Sequence, residues 1–230
     1  VPDYDVLIVG AGFAGAEAAY ALAKRGLKVG LLTTSLDSVF LPFTKVEGPF
    51  PEGSLLAEVG RDGLKGWELH AAAKYRLEAQ TNIHLAQFSI TELLIKEGRV
   101  QGVLTWEGPS KTAPIVVLAV GSFLDARLHI GRVIEEAGRL SEVAYPELYR
   151  HLQGLGFAFT GQQTAVEAAG GTPGYRVEYA VFERAEWDLE SFKLGRIEGL
   201  YGLGLCVLGQ ATYARMAQEG LRFADTYGVR

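Results

Sequence analysis

An α/β fold built on parallel strands is predicted by three features of this 230-residue sequence. Asp5 to Val9 is a continuous apolar stretch, the pattern of a central parallel strand covered on both faces. Gly10, Gly12 and Gly15 follow at once in G-x-G-x-x-G spacing and open a helix. A second all-apolar run, Ile115 to Val120, ends in Gly121 and is preceded by a strand pair rather than by a helix.

In the glycine motif the first glycine permits a tight turn, the second lets a pyrophosphate approach the backbone, and the third lets helix and strand pack closely. Phe13 and Ala14 fall inside the motif, and the helix carries Ala18, Ala19, Leu22 and Ala23 on one face before Gly26 ends it. Leu27 to Thr34 then reads as a second strand. This βαβ start sets a phosphate at a helix N-terminus, where the dipole and free N–H groups favour an anion. Dinucleotide binding is therefore expected; the competing reading is a glycine-rich turn that holds nothing. The second strand ends in Thr33 and Thr34, where an Asp or Glu ordinarily takes the ribose hydroxyls. Either the threonines contact the ribose, or they simply end a strand. Asp37 reads as an exposed loop carboxylate.

A loop rich in Gly and Pro, Leu41 to Gly66, leads to a helix over Trp67 to Gln80 with Leu69, Ala73 and Leu77 on one face, and Asn82 to Phe88 is a strand. Ile90 to Lys96 and Arg99 to Trp106 form a strand pair joined by Glu97-Gly98, a dipeptide suited to a tight turn. A plain nicotinamide domain would carry a helix there. A β-hairpin or meander crossover before "APIVVLAVG" resembles flavoproteins of the glutathione-reductase type, so the expected fold is a Rossmann-like FAD-binding domain. Glu198 to Gly209 reads as its last strand, followed by a closing helix to Asp225. One domain over 1–230 is expected, its core formed by 1–135 and 195–230 with a reduced insertion at about 136–194.

Composition narrows the function classes. Lys and Arg total 22 against 27 Asp and Glu, a formal charge of -5 with no basic run, which argues against strong autonomous binding of tRNA or other nucleic acid. The single cysteine, Cys206, excludes an intrachain disulfide and any CxxC motif. No apolar run reaches the length of a membrane span and Val1 to Tyr4 leads directly into the first strand, so a cytoplasmic protein is expected.

Four stretches, "VGAGFAGAEAA", "VGSFLDARLHIG", "TPGYRVEYAVF" and "GLYGLGLCVLGQATYARMAQEG", are similar in the same order to the GidA/MnmG family of FAD-dependent enzymes that modify the wobble uridine of certain tRNAs. The resemblance implies FAD as cofactor, with its pyrophosphate on Gly10 to Gly15. It implies that Ile90 meets the adenine through its main chain, that Gly121 lies near the phosphates and ribose, and that Gly204 and Leu205 lie near the ribityl chain or ring. Where the family has a polar residue, position 205 is leucine, which offers the flavin no side-chain hydrogen bond. The family's cysteine-bearing loop is replaced by "SVFLPFTKVEGPFPEG". Neither the family's large insertion before "PGY" nor its C-terminal helical domain, which reaches tRNA and a partner GTPase, has a counterpart, so the resemblance covers the flavin-binding core. NADH or NADPH is the expected reductant, and a homo-oligomer or a protein partner fits the surfaces left by the missing domains.

Among residues that could do chemistry, His70, His84, His129 and His151 show no metal spacing, and no metal site is expected. Cys206 in an apolar stretch reads as a small buried hydrophobe at the start of a strand. Tyr145, Tyr175, Glu178, Tyr179 and Tyr213 are candidates to line a flavin ring, equally placed as core. Glu178 is the best acid/base candidate, although an alternating strand exposes every second residue anyway. The catalytic residues stay unknown. The sequence leaves two functions open: a flavin oxidoreductase whose chemistry belongs to the cofactor, and a non-catalytic flavin-binding module.

Overall fold

The computed structural model describes residues 1–60, 66–167 and 174–228. Thr172 and Pro173 of the "TPGYRVEYAVF" stretch and 61–65 of the Gly/Pro loop lie outside the described residues. Strand β1 (Val6–Val9) runs into helix α1 (Phe13–Lys24), which returns to β2 (Val29–Thr33) in parallel pairing with β1. Every β1 residue is wholly buried, and side chains of this kind contribute about 1.5–3 kcal/mol each on leaving water. A short helix α2 (Leu55–Val59) and α3 (Gly66–Glu78) lead to β3 (Ile83–Gln87), parallel to β2. On α3 the buried residues are Leu69, Ala73 and Leu77, the face expected from their spacing.

The crossover from β3 to the far side of β1 contains no helix. It is an antiparallel meander of β4 (Ile90–Lys96), β5 (Arg99–Thr105) and β6 (Ser110–Thr112). Glu97 and Gly98 between β4 and β5 take φ of 52° and 75°, the pair of positive angles that a two-residue hairpin turn requires. Strand β7 (Ile115–Leu118) then pairs in parallel with β1.

The next segment builds a second layer. Strands β8 (Arg127–Ile130) and β9 (Val133–Glu135) form a hairpin; β10 (Ala137–Arg139) and β11 (Glu142–Val143) form a two-stranded ribbon. Helix α4 (Pro146–Gly154) precedes a long antiparallel pair, β12 (Phe159–Val166) and β13 (Tyr175–Phe182). The four-stranded order is β12-β13-β8-β9, so this sheet runs across the boundary expected at residue 135.

The chain returns to the first layer through β14 (Leu200–Gly202), which completes an all-parallel sheet of order β14-β7-β1-β2-β3. The last strand expected over Glu198 to Gly209 therefore stops at Gly202. Gly204, at φ 72°, turns the backbone into the short helix α5 (Leu205–Leu208), so Cys206 lies in a helical turn and not at the start of a strand. Helix α6 (Tyr213–Tyr227) packs along α1 so closely that a Cβ on Gly220 would fall 2.7 Å from the Ala14 carbonyl oxygen. The fold is thus mixed α/β around a Rossmann-like parallel sheet.

Candidate functional site

A cavity of about 650 Å³ opens where the C-terminal ends of β1, β2 and β7 meet the N-terminus of α1. That size falls in the range of ordinary ligand sites, and the position is the one open parallel sheets use for ligands. Its floor is backbone: Gly10, Gly12, Phe13 and Ala14 below, Gly121 behind, and Gly204 and Leu205 at the far side. The N-cap of α1 is Gly12, with no side chain bonded to the first-turn N–H groups.

The glycines of the motif divide into two kinds. A Cβ on Gly12 meets nothing within 4 Å, because it would project into open space. A Cβ on Gly10 would lie 2.2 Å from the Ala119 carbonyl oxygen, and one on Gly15 would lie 2.0 Å from the Gly10 oxygen. Gly15 does not border the cavity; it lets α1 sit down on the β1 turn. Ile90 does not border it either, being buried at the start of β4 opposite Thr105.

Thr33 and Thr34 border the cavity from the end of β2. The Thr33 hydroxyl donates to the Ser35 carbonyl at 3.2 Å, and Thr34 hydrogen-bonds with the buried Tyr145 hydroxyl, whose pKa burial pushes up. The opposite wall is held by a carboxylate on α6: Glu219 is fully buried and accepts the Gly204 N–H at 3.2 Å, and burial raises its pKa.

The roof is made of side chains. Tyr213 Oη accepts the Phe43 and Thr44 N–H groups at 2.7 and 3.0 Å, while Phe13 packs between Phe40 and Tyr213 with ring centroids 4.1 and 4.4 Å away. Arg139 donates from Nη1 to the Leu41 carbonyl at 2.6 Å and from Nη2 to that of Pro42 at 3.0 Å, with its guanidinium over the Phe43 ring. Glu142 sits 3.7 Å from Arg139 and accepts the Ser38 hydroxyl at 2.7 Å, its pKa raised by burial. Behind the roof, Glu17 of α1 is fully buried and accepts the Leu55 and Leu56 N–H groups at 2.8 and 2.6 Å, and Ser54 accepts that of Ala57 at 2.9 Å. The two Glu17 bonds clamp α2, and with it the end of the roof loop, onto α1, and the Ser54 bond caps α2.

Of the aromatic candidates from the sequence, Tyr145, Tyr179 and Tyr213 border the cavity; Tyr175 and Glu178 do not. Glu178 faces a separate, shallower depression beside Arg127 and Tyr149, 3.0 Å from Arg176 and 3.3 Å from His129. Cys206 is fully buried, donates to the Leu118 and Leu203 carbonyls at 3.3 Å, and burial pushes its thiol to about 12, which removes the thiolate that reactivity needs. No group of three metal-ligating side chains occurs among the described residues. Arg139, Glu142 and Ser38 were not anticipated from sequence. The available signal was "GRLSE", opposite charges three apart across a turn, where Ser141 takes φ 64°.

Each ionisable side chain on the cavity wall already has a structural partner. Lys45 and Glu47 pair at 3.1 Å, the Tyr179 hydroxyl donates to the Gly209 carbonyl at 2.6 Å, and Arg139, Glu142, Tyr145 and Tyr213 are bonded as described above. The site can cradle an anion on backbone N–H groups and a flat apolar body against aromatic rings.

The chain is 34% identical over 197 residues to the tRNA uridine 5-carboxymethylaminomethyl modification enzyme MnmG of Syntrophobacter fumaroxidans, a match covering 72% of this chain and 31% of that protein. It thus spans about a third of the length of such relatives. Its fold matches the crystal structure of the GidA-related protein from Thermus thermophilus with a TM-score of 0.91 and 52% identity, over 96% of each chain. Against Aquifex aeolicus GidA the TM-score is 0.83 at 15% identity, over 96% of this chain and 64% of the other, a likeness of fold alone. The sequence model described as glucose inhibited division protein A matches residues 5–59 and 65–170. With the glycine cradle, the meander crossover and the closing helix in place around that match, the chain belongs to the glucose inhibited division protein A family, as a short GidA/MnmG-related protein.

Proposed function

We propose that the whole chain is one FAD-binding unit and acts as a flavin-dependent oxidoreductase related to tRNA uridine modification. The observation that carries this reading is the cavity over the N-terminus of α1, where Gly12 leaves the first-turn N–H groups open to a ligand. The residues present fit the cofactor. The first-turn N–H groups around Gly12 to Ala14 would hold a pyrophosphate, Thr33 and Thr34 border the side where ribose hydroxyls would sit, and Phe13, Tyr213 and Leu205 offer apolar and aromatic surface to a ring. The Leu205 side chain places no hydrogen bond there, and the Gly204 N–H is taken by Glu219. FAD, when bound, supplies electron transfer with NADH or NADPH as the reductant. The chain's part is to bind, to orient, and to exclude water under the roof of Phe43 and Tyr213.

The test is an absorbance spectrum before and after adding NADH or NADPH, on the natural chain and on Gly12→Val. The Gly12→Val chain should fold normally, since its Cβ meets nothing, and should emerge colourless; yellow Gly12→Val protein would defeat the assignment. A second reading, a flavin-binding module without turnover, is favoured by one observation: the ionisable side chains on the wall are all engaged in structural bonds. Bleaching of the flavin by NADH or NADPH separates the two readings. With a formal charge of -5, the isolated chain should bind tRNA no better than a generic acidic protein, because few phosphates can be neutralised. Filter binding at about 150 mM salt checks this, and tight, steeply salt-dependent binding would overturn it.

A further inference from the structure

We propose that Glu142 is the ribose-recognising carboxylate of the cavity, delivered from β11 to the end of β2, where the sequence has two threonines in place of an acid. The inference rests on the FAD reading above and goes beyond it in naming the side chain that selects the adenosine ribose. A dinucleotide fold ordinarily sets an Asp or Glu at the end of its second strand, because a carboxylate accepts hydrogen bonds from the ribose hydroxyls at charge-assisted strength. Here both threonines are already engaged. The Thr33 hydroxyl donates to the Ser35 carbonyl at 3.2 Å, and Thr34 hydrogen-bonds with Tyr145. A ribose at that wall still needs an acceptor for its hydroxyl protons.

Among the described residues, the carboxylates that border the cavity are Glu47 and Glu142. Glu47 is exposed and pairs with Lys45 at 3.1 Å. Glu142 is shielded, its side chain only 13% exposed. Its Oε2 accepts the Ser38 hydroxyl at 2.7 Å, which ties it to the segment that leaves β2 just after Thr34. Its charge also reaches Tyr145, the partner of Thr34: after burial, Glu142 is the neighbour that raises the Tyr145 pKa most. The carboxylate therefore shares one wall with Thr34, Ser38 and Tyr145. Its Oε1 lies 3.7 Å from Arg139 Nε, beyond hydrogen-bond distance, and makes no hydrogen bond among the described residues. Arg139 directs its Nη donors to the Leu41 and Pro42 carbonyls instead. One oxygen of Glu142 thus holds the roof loop, and the other is open to a ligand hydroxyl. Asp37 is nearer to Thr34 along the chain, but it is exposed and does not border the cavity.

Isothermal titration of the full chain, freed of bound flavin, with ADP and with dideoxyadenosine diphosphate tests this, since the two probes differ only in the ribose hydroxyls. The natural chain should bind ADP at least about tenfold more tightly, as expected of hydrogen bonds to a charged acceptor. Glu142→Ala should bring the two affinities within about threefold of each other by weakening ADP alone. Glu142→Gln, which keeps an acceptor for the Ser38 hydroxyl without the charge, should give an intermediate ratio and an unchanged melting temperature. Asp37→Asn should keep the natural ratio. A natural chain that binds both probes equally overturns the proposal and leaves the FAD reading standing. Equal losses for both probes in Glu142→Gln overturn it as well, because Glu142 then serves the roof alone. If neither ADP nor FAD binds the natural chain, the FAD reading itself fails and this inference falls with it.

Discussion

The floor and the roof of the cavity are built on different principles. The floor is main chain, set by close approaches in which a single added carbon would fall 2.0–2.2 Å from a carbonyl oxygen, at Gly15 and Gly10. The roof is loop, held down by side-chain hydrogen bonds from Tyr213, Arg139, Glu142 and Glu17. A backbone-on-backbone contact has no side chain to move aside, so it tolerates no substitution. A roof of individual hydrogen bonds can lose one and stay folded, each contributing about 1 kcal/mol. The close-packed glycines that shape the floor, Gly10 and Gly15, should therefore behave as all-or-none and the roof as graded.

The largest effect is expected at Gly15→Val, whose Cβ would drive into the Gly10 carbonyl: a loss of about 4 kcal/mol or more, leaving little folded chain. Its partner in the comparison is Gly12→Val, three residues away and expected to fold. Circular dichroism melts of both distinguish a structural glycine from a ligand-facing one, and equal melting temperatures would erase the distinction.

The next effect is pH-dependent and belongs to the roof clamp. Burial raises the Glu17 carboxyl from 4.5 to about 7, against the lowering effect of its two N–H bonds. A carboxyl with a raised folded pKa holds its proton more tightly folded than unfolded, so its contribution is complete below pH 4.5 and is lost as pH rises to about 7. The shift corresponds to about 3 kcal/mol. Urea unfolding at pH 5 and pH 7.5 should show that fall in the natural chain and not in Glu17→Gln, which cannot ionise; equal slopes in the two proteins would refute the assignment.

Smaller still is Tyr213→Phe, which strips the acceptor from the Phe43 and Thr44 N–H groups. The expected cost is about 1–2 kcal/mol, with weaker retention of FAD on dilution but a natural fold; unaltered flavin retention would show that the roof does not close the site. The smallest is Cys206→Ala. The thiol is buried off the cavity wall, so the change should cost about 1 kcal/mol of packing and leave flavin content and bleaching untouched. Loss of bleaching in a folded, yellow variant would give Cys206 a role in the reaction.

The floor was legible because its signal is local: an apolar run, three glycines at fixed spacing and a helix with small residues lie within Asp5 to Ala23. The meander crossover was legible for the same reason, since Glu97-Gly98 between two apolar runs announces a hairpin. The roof was not. Arg139 reaches Leu41 and Pro42 across almost a hundred positions, and Glu17 reaches Leu55 and Leu56 across nearly forty, and no periodicity encodes which distant carbonyl or amide a side chain will find. Glu178 shows the converse, a local pattern that left two readings open. It was the best acid/base candidate in the sequence against the competing reading that an alternating strand exposes every second residue, and the alternation prevails: Glu178 borders the separate depression while its neighbour Tyr179 borders the cavity.

By itself the sequence determined the parallel core, the glycine turn and the hairpin crossover, because each follows from steric rules acting over a few consecutive residues. Tertiary structure alone decided that the last strand stops at Gly202, that β8 and β9 join β12 and β13 in one sheet, and that the cavity's ionisable side chains are bound to a loop. Those outcomes depend on which surfaces meet after the chain has closed, and the free energy of such contacts is set by distance in space, to which separation along the chain is nearly blind.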